Sequence, residues 1–160
     1  MSTPLLTEVQ TNKDKEIELL KNEIKSLKEE VKLLKDNCIY KIKIADLLPK
    51  DLFVTNEGDS KIKEDCVLIG KGGWQYGPYR FYEQGKYLIN YIGEGLLNGE
   101  FDSIDGEVKF PITIIYKSQL KVTYEIIIPT EVKIGIEFRF HHTGTAFAYV
   151  KKIEVYKYNI

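Results

Sequence analysis

The chain has 160 residues, 23 Lys and Arg against 24 Asp and Glu, and a formal net charge of -1. That balance gives no electrostatic footprint for nucleic acid or an anionic membrane surface, and no apolar run approaches the ~20 residues of a membrane span. Two cysteines make no disulfide framework, and 43% hydrophobic residues are ample for one packed domain.

The opening stretch MSTPLLTEVQ lacks the basic start and long apolar run of a signal peptide. A cytoplasmic or virion-associated location is therefore expected. Residues 1–11 are polar and read as a flexible N-terminus. Thr11, followed three places later by Asp14, resembles a capping box with Asp in place of Glu, so a helix is expected over 12–38.

Within that helix, Ile17, Leu20, Ile24, Leu27, Val31, Leu34 and Cys38 recur at alternating steps of three and four. This is the a/d seam of a heptad repeat. Glu16, Glu23 and Glu30 occupy g positions, and Lys21, Lys28 and Lys35 occupy e positions. In a parallel, in-register pair each g residue faces the e residue five further along the partner, so every such pairing is Glu with Lys. A parallel homodimer or homotrimer through residues 17–38 is expected. β-branched a residues with Leu at d favour two strands, whereas the buried Asn that enforces a dimer is missing, and Leu19 and Leu33 at c positions widen the stripe for a third helix. Cys38, at an a position, reads as a buried thiol; an interchain disulfide there is geometrically possible under oxidation.

From Tyr40 the period changes to two. Tyr40, Ile42 and Ile44 alternate with Lys41 and Lys43; Leu47–Pro49 and residues 56–59 read as turns. Tyr87, Ile89 and Tyr91 face one way. Val108, Phe110, Ile112 and Ile114 are expected to face inward, as are Val122, Tyr124, Ile126 and Ile128. Val132, Ile134, Ile136, Phe138 and Phe140 alternate with Lys133, Glu137, Arg139 and His141, and a last strand closes the domain by Tyr158. Short strands separated by turns, each with one apolar face, predict a mainly β fold: an antiparallel jelly-roll-like sandwich over residues 39–160.

The richest stretch for chemistry is Gly70–Arg80. It places Trp74, Tyr76, Tyr79 and Arg80 in what reads as a glycine-rich loop. Aromatic faces stack on the C–H faces of sugars, while Arg and Gln bond their hydroxyls. The competing reading seats Trp74 or Tyr79 at one end of the core. The run GKGG lacks the spacing of a phosphate loop. His141 and His142, adjacent on a strand, point to opposite faces and do not readily chelate one ion. Asp102 and Asp105 flank Gly106 and read first as turn residues; with Glu100 they form an alternative hard-cation site. No Ser/His/Asp or Cys/His set has recognisable spacing, so neither catalysis nor a cofactor is expected.

The run Gly77-Pro78-Tyr79, then Gly85-Lys86-Tyr87-Leu88-Ile89 and Gly99-Glu100-Phe101-Asp102, with Val132 to Phe140 and the late strand Lys152–Val155, resembles a known domain family. These motifs, over about residues 65–158, look like a carbohydrate-binding-module-like β-sandwich of the kind accompanying bacterial surface-polysaccharide glycosyltransferases and methyltransferases. The resemblance implies a jelly-roll sandwich that holds glycan without cleaving it. It also implies a tight turn at Gly77-Pro78-Tyr79 and a core ring at Tyr87. Trp74, Tyr76 and Arg80 lie outside its motifs and are chosen on local chemistry. The sequence thus predicts multivalent, non-catalytic binding of a glycan or polysaccharide; the alternative is a structural or assembly protein whose sandwich binds protein.

Overall fold

The computed structural model describes residues 3–37, 40–129 and 131–159, and divides into two units, Met1–Ile39 and Tyr40–Ile160. In the first, one α-helix runs from Thr3 to Asn37. It begins some nine residues earlier than expected and absorbs Thr11, so the helix start and the capping box at Thr11 and Asp14 are corrected. The reason is local: Pro4 is tolerated in a first turn, and Leu5 to Gln10 contain nothing that breaks a helix. Asp14 instead accepts a bond from the Gln10 side chain one turn earlier. At about 1.5 Å per residue, 35 residues make a rod of roughly 50 Å. Ile17, Leu20, Ile24, Leu27 and Val31 are all about half exposed along it. Cys38 lies outside the described residues. Among the described residues no helix is long and apolar enough to cross a membrane.

Among its described residues the second unit contains thirteen strands: β1 (Tyr40–Leu47), β2 (Phe53–Val54), β3 (Lys61–Ile62), β4 (Val67–Ile69), β5 (Trp74–Tyr76), β6 (Pro78–Arg80), β7 (Gly85–Glu94), β8 (Gly99–Asp105), β9 (Val108–Lys109), β10 (Ile112–Lys117), β11 (Lys121–Ile128), β12 (Ile136–His142) and β13 (Ala148–Asn159). They form two sheets. The seven-stranded sheet has the order β10-β11-β7-β13-β4-β3, with β1 also paired to β13; the six-stranded sheet has the order β2-β5-β12-β8-β9, with β6 also on β12. Every pairing is antiparallel. The fold is mainly β, an antiparallel sandwich.

The core lies between the sheets. Tyr87, Ile89 and Tyr91 of β7, Val122, Tyr124, Ile126 and Ile128 of β11, and Ile153 and Val155 of β13 meet Phe101, Ile136, Phe138 and Phe140 of the other sheet. Tyr91 and Phe101 cross edge to face at 4.8 Å. The Tyr124 hydroxyl, whose proton burial makes hard to lose, lies 3.0 Å from Ser103 Oγ. These strands alternate as the sequence predicts.

Three inward assignments are corrected. Val108 and Ile134 are more than 60% exposed and Ile114 is 44% exposed. Val108 sits in a two-residue strand beside the Gly106 turn, and Ile114 lies on the edge strand next to a register shift. Ile134 belongs to a loop held by Asp105, and its side chain covers Gly106 instead of entering the core. Exposed apolar residues at a sheet edge keep the period of two without the burial that usually accompanies it.

Candidate functional site

Trp74, Gln75 and Tyr76 form strand β5, not a loop. Gln75 points inward and is fully buried, with its amide donating to the Phe138 carbonyl. Trp74 and Tyr76 consequently share the outer face of the six-stranded sheet. Neither they nor Tyr79 belongs to the core, so the competing core reading of these rings does not hold.

Pairing supplies the neighbours. Trp74 lies opposite His141 of β12, and the two rings stack at 4.1 Å with planes 8° apart. The Arg139 guanidinium sits 4.9 Å from the indole centre. Tyr76 lies opposite Phe53 of β2 and stacks on it at 5.5 Å. Tyr79 closes this group edge-on, 5.8 Å from Phe53 and 6.3 Å from Tyr76. Phe53, 45% exposed, and Tyr79, 40% exposed, give the cluster its open surface.

Two glycines make the arrangement possible. Gly77 has φ +100°, and a Cβ there would meet the Phe53 ring at 2.8 Å. Gly135 has φ +125°, and a Cβ would strike the Tyr79 carbonyl at 2.5 Å. Both conformations lie where side chains are rarely accommodated. The peptide bond between Gly77 and Pro78 is cis, and Tyr79 itself has φ +67°.

Polar groups surround the rings. Arg139 donates two 2.6 Å bonds to Asp102 from Nε and Nη2, and Lys109 approaches the same carboxylate at 3.8 Å. The bidentate bond to Asp102 holds the guanidinium above its ordinary value. Partial burial, then the hydrogen bond with Glu137, push the Tyr79 hydroxyl up to about 12. Arg80 is ion-paired with Asp51 at 3.4 Å. Of the four residues expected to form the site, the structure brings Trp74, Tyr76 and Tyr79 onto one ring-bearing surface and commits Arg80 to a neighbouring carboxylate. A shallow depression of about 560 Å³, lined by Val54, Thr55, Asn56, Glu57 and Tyr76, opens beside the rings.

Phe53 and Arg139 are candidates that the sequence reading missed, and Asp102 and His141, weighed there only for a metal, stand beside the rings instead. Arg139 and His141 were legible as outward positions on their strand; nothing in the sequence pairs them with Trp74. The Glu100, Asp102 and Asp105 cation site does not assemble. Asp102 is occupied by Arg139, Asp105 accepts from three backbone N–H groups, and among the described residues no three His, Cys, Asp or Glu side chains gather to hold a metal. His141 and His142 diverge as expected: His142 is buried, with Nδ1 on the Asn98 carbonyl and Nε2 on the Ala146 carbonyl.

No family model matches the chain, and no curated protein matches it. Among solved structures, the chain is similar to the C-terminal CBM6 of LamC, a marine laminarinase from Zobellia galactanivorans. That similarity has 17% sequence identity and a TM-score of 0.49, and covers 74% of this chain and 100% of that one.

Proposed function

We propose that the sandwich is a non-catalytic carbohydrate-binding domain whose site is the outer face of the six-stranded sheet. The observation that carries this reading is the solvent-facing cluster of Phe53, Tyr76 and Tyr79 beside the Trp74–His141 stack. A monomeric protein has little reason to keep such rings at its surface unless something covers them. Flat apolar faces next to hydrogen-bonding groups match a pyranose ring, which presents C–H groups on its faces and hydroxyls around its rim.

The surrounding polar groups suit binding better than bond cleavage. Hydrolysis of a glycosidic bond needs two free carboxyl groups across a cleft. Here Asp102 is held by Arg139 and Lys109, and Glu137 is engaged with the Tyr79 hydroxyl. These pairs hold the side chains in fixed directions, which lowers the ordering cost of binding.

The helix completes the reading. Its apolar stripe is exposed in a single copy, and its flanking Glu and Lys residues match in a parallel pair or trio. One shallow site binds weakly. Linking two or three raises apparent affinity by roughly 10²–10⁴ when the ligand repeats. The expected partners are a repeating glycan and further copies of this chain.

A glycan array probed with the oligomer, followed by affinity electrophoresis in the polysaccharide identified, tests the proposal. Retention that Tyr76→Ala abolishes supports it. Absence of binding to any glycan overturns it and favours the assembly alternative.

A further inference from the structure

The opposite sheet carries a second concavity. On β7, β11 and β13 the residues alternating with the core set point away from it, and two of them, Asn90 and Thr123, are only 6% and 7% exposed. They are neighbours across the β7–β11 ladder, and the Thr123 hydroxyl donates to Asn90 Oδ1 at 2.7 Å. Buried polar side chains on the outer face of a sheet form the floor of a groove. This one encloses about 580 Å³, with Tyr116 and Tyr158 among its walls and, among the described residues, Lys41 and Lys121 the only charged ones lining it.

The charges on this face are unequally distributed. Glu154 is matched by Lys43 at 2.6 Å and Lys152 at 3.7 Å. Glu125 is matched by Lys86 at 3.1 Å and accepts from the Tyr158 hydroxyl at 2.6 Å. The nearby carboxylates are therefore already neutralised by other lysines. Lys121 makes no ion pair among the described residues, and the Lys41 ammonium rests only over the Tyr156 ring, 5.4 Å from its centre. Among the described residues, the groove holds two cations that no carboxylate matches, two phenol rings and a hydrogen-bonding amide and hydroxyl.

We propose that this groove is a second ligand site, specific for an acidic saccharide: a sugar ring bearing a carboxylate or sulfate. A sugar ring lies against Tyr116 or Tyr158, hydroxyls reach Asn90 and Thr123, and anionic groups are bound by Lys41 at one end of the groove and by Lys121 at the other. Ammonium groups bind such anions as point charges and attract them through solvent, so the interaction weakens with salt. The site is independent of the ring cluster on the other sheet, and either site functions if the other does not.

The test uses the full chain and two anionic probes, polygalacturonate and carrageenan, with neutral galactan as control, in affinity electrophoresis at low and moderate salt. The double variant Lys41→Ala/Lys121→Ala removes two solvent-facing ammonium groups and leaves the core intact. Wild type should bind at least one polyanion, less tightly as salt rises. The double variant should bind it about tenfold less tightly while melting at the same temperature as wild type. Three results would each overturn the proposal: neither polyanion is retained, the double variant retains it unchanged, or a single-stranded oligothymidylate binds as tightly. None of these bears on neutral-glycan binding at the ring cluster, so the two readings fail separately.

Discussion

Replacing Tyr76 by Ala separates a binding surface from a packing surface. In the structure Tyr76 has two ring partners, Phe53 stacked at 5.5 Å and Tyr79 edge-on at 6.3 Å, and it is half-buried. An aromatic pair contributes about 0.5–1.5 kcal/mol beyond its buried area, and solvent-facing pairs sit at the low end. The substitution should therefore lower folding stability by about 1–2 kcal/mol. Tyr87, 2% exposed in the core, is the matched control; Tyr87→Ala should cost about 3–5 kcal/mol, as truncation of a buried ring does. Binding should respond in the opposite order. A central stacking ring that behaves as a hot spot is worth about 2 kcal/mol or more, which is roughly thirtyfold in Kd. Urea denaturation gives the first quantity, and titration calorimetry with the glycan from the array gives the second. If Tyr76→Ala loses more than about 3 kcal/mol of stability, the ring is structural and the outer-face argument fails. If the variant binds within twofold of wild type, the site is not on this face.

Other outcomes follow from the same structure. Replacing Ile24 and Leu27 with Asp puts charge into the exposed stripe and should yield folded monomers by light scattering; a monomeric wild type at micromolar concentration would remove the basis for multivalency. Ile126→Ala, at a 1% exposed position, should cost about 2–5 kcal/mol in denaturant melts, and a loss below ~1 kcal/mol would contradict a closed core. Backbone N–H bonds from Lys133, Ile134 and Gly135 hold the Asp105 carboxylate below its ordinary value of 3.8. Its folded value is depressed, so its contribution is present above 3.8 and is lost as pH falls through the lowered value. Thermal melts from about pH 6 to about pH 2 should show a steeper acid loss for wild type than for Asp105→Asn, and parallel curves would count against this role.

The N-terminal helix, the change of period at Tyr40 and the inward faces of β7, β11 and β12 were legible in the sequence by itself. Each is a local repeat, and the geometry of a helix or a strand sets its period. The same logic misplaced Val108, Ile114 and Ile134, because a period of two does not reveal whether a strand is central or at an edge. It also placed the helix start too late, since helical propensity alone carries the chain on from Pro4 without a second cap. For the candidate site, composition located Trp74, Tyr76 and Tyr79, because their rings are concentrated within a few residues. Their surroundings required the fold. His141 and Arg139 reach Trp74 only through antiparallel pairing of β5 with β12, more than sixty residues apart in the chain, and Phe53 reaches Tyr76 through β2. Strand register is a property of the whole sheet, set by which faces must be buried together. A single segment therefore identifies which side chains are available, while the tertiary structure decides which of them stand side by side.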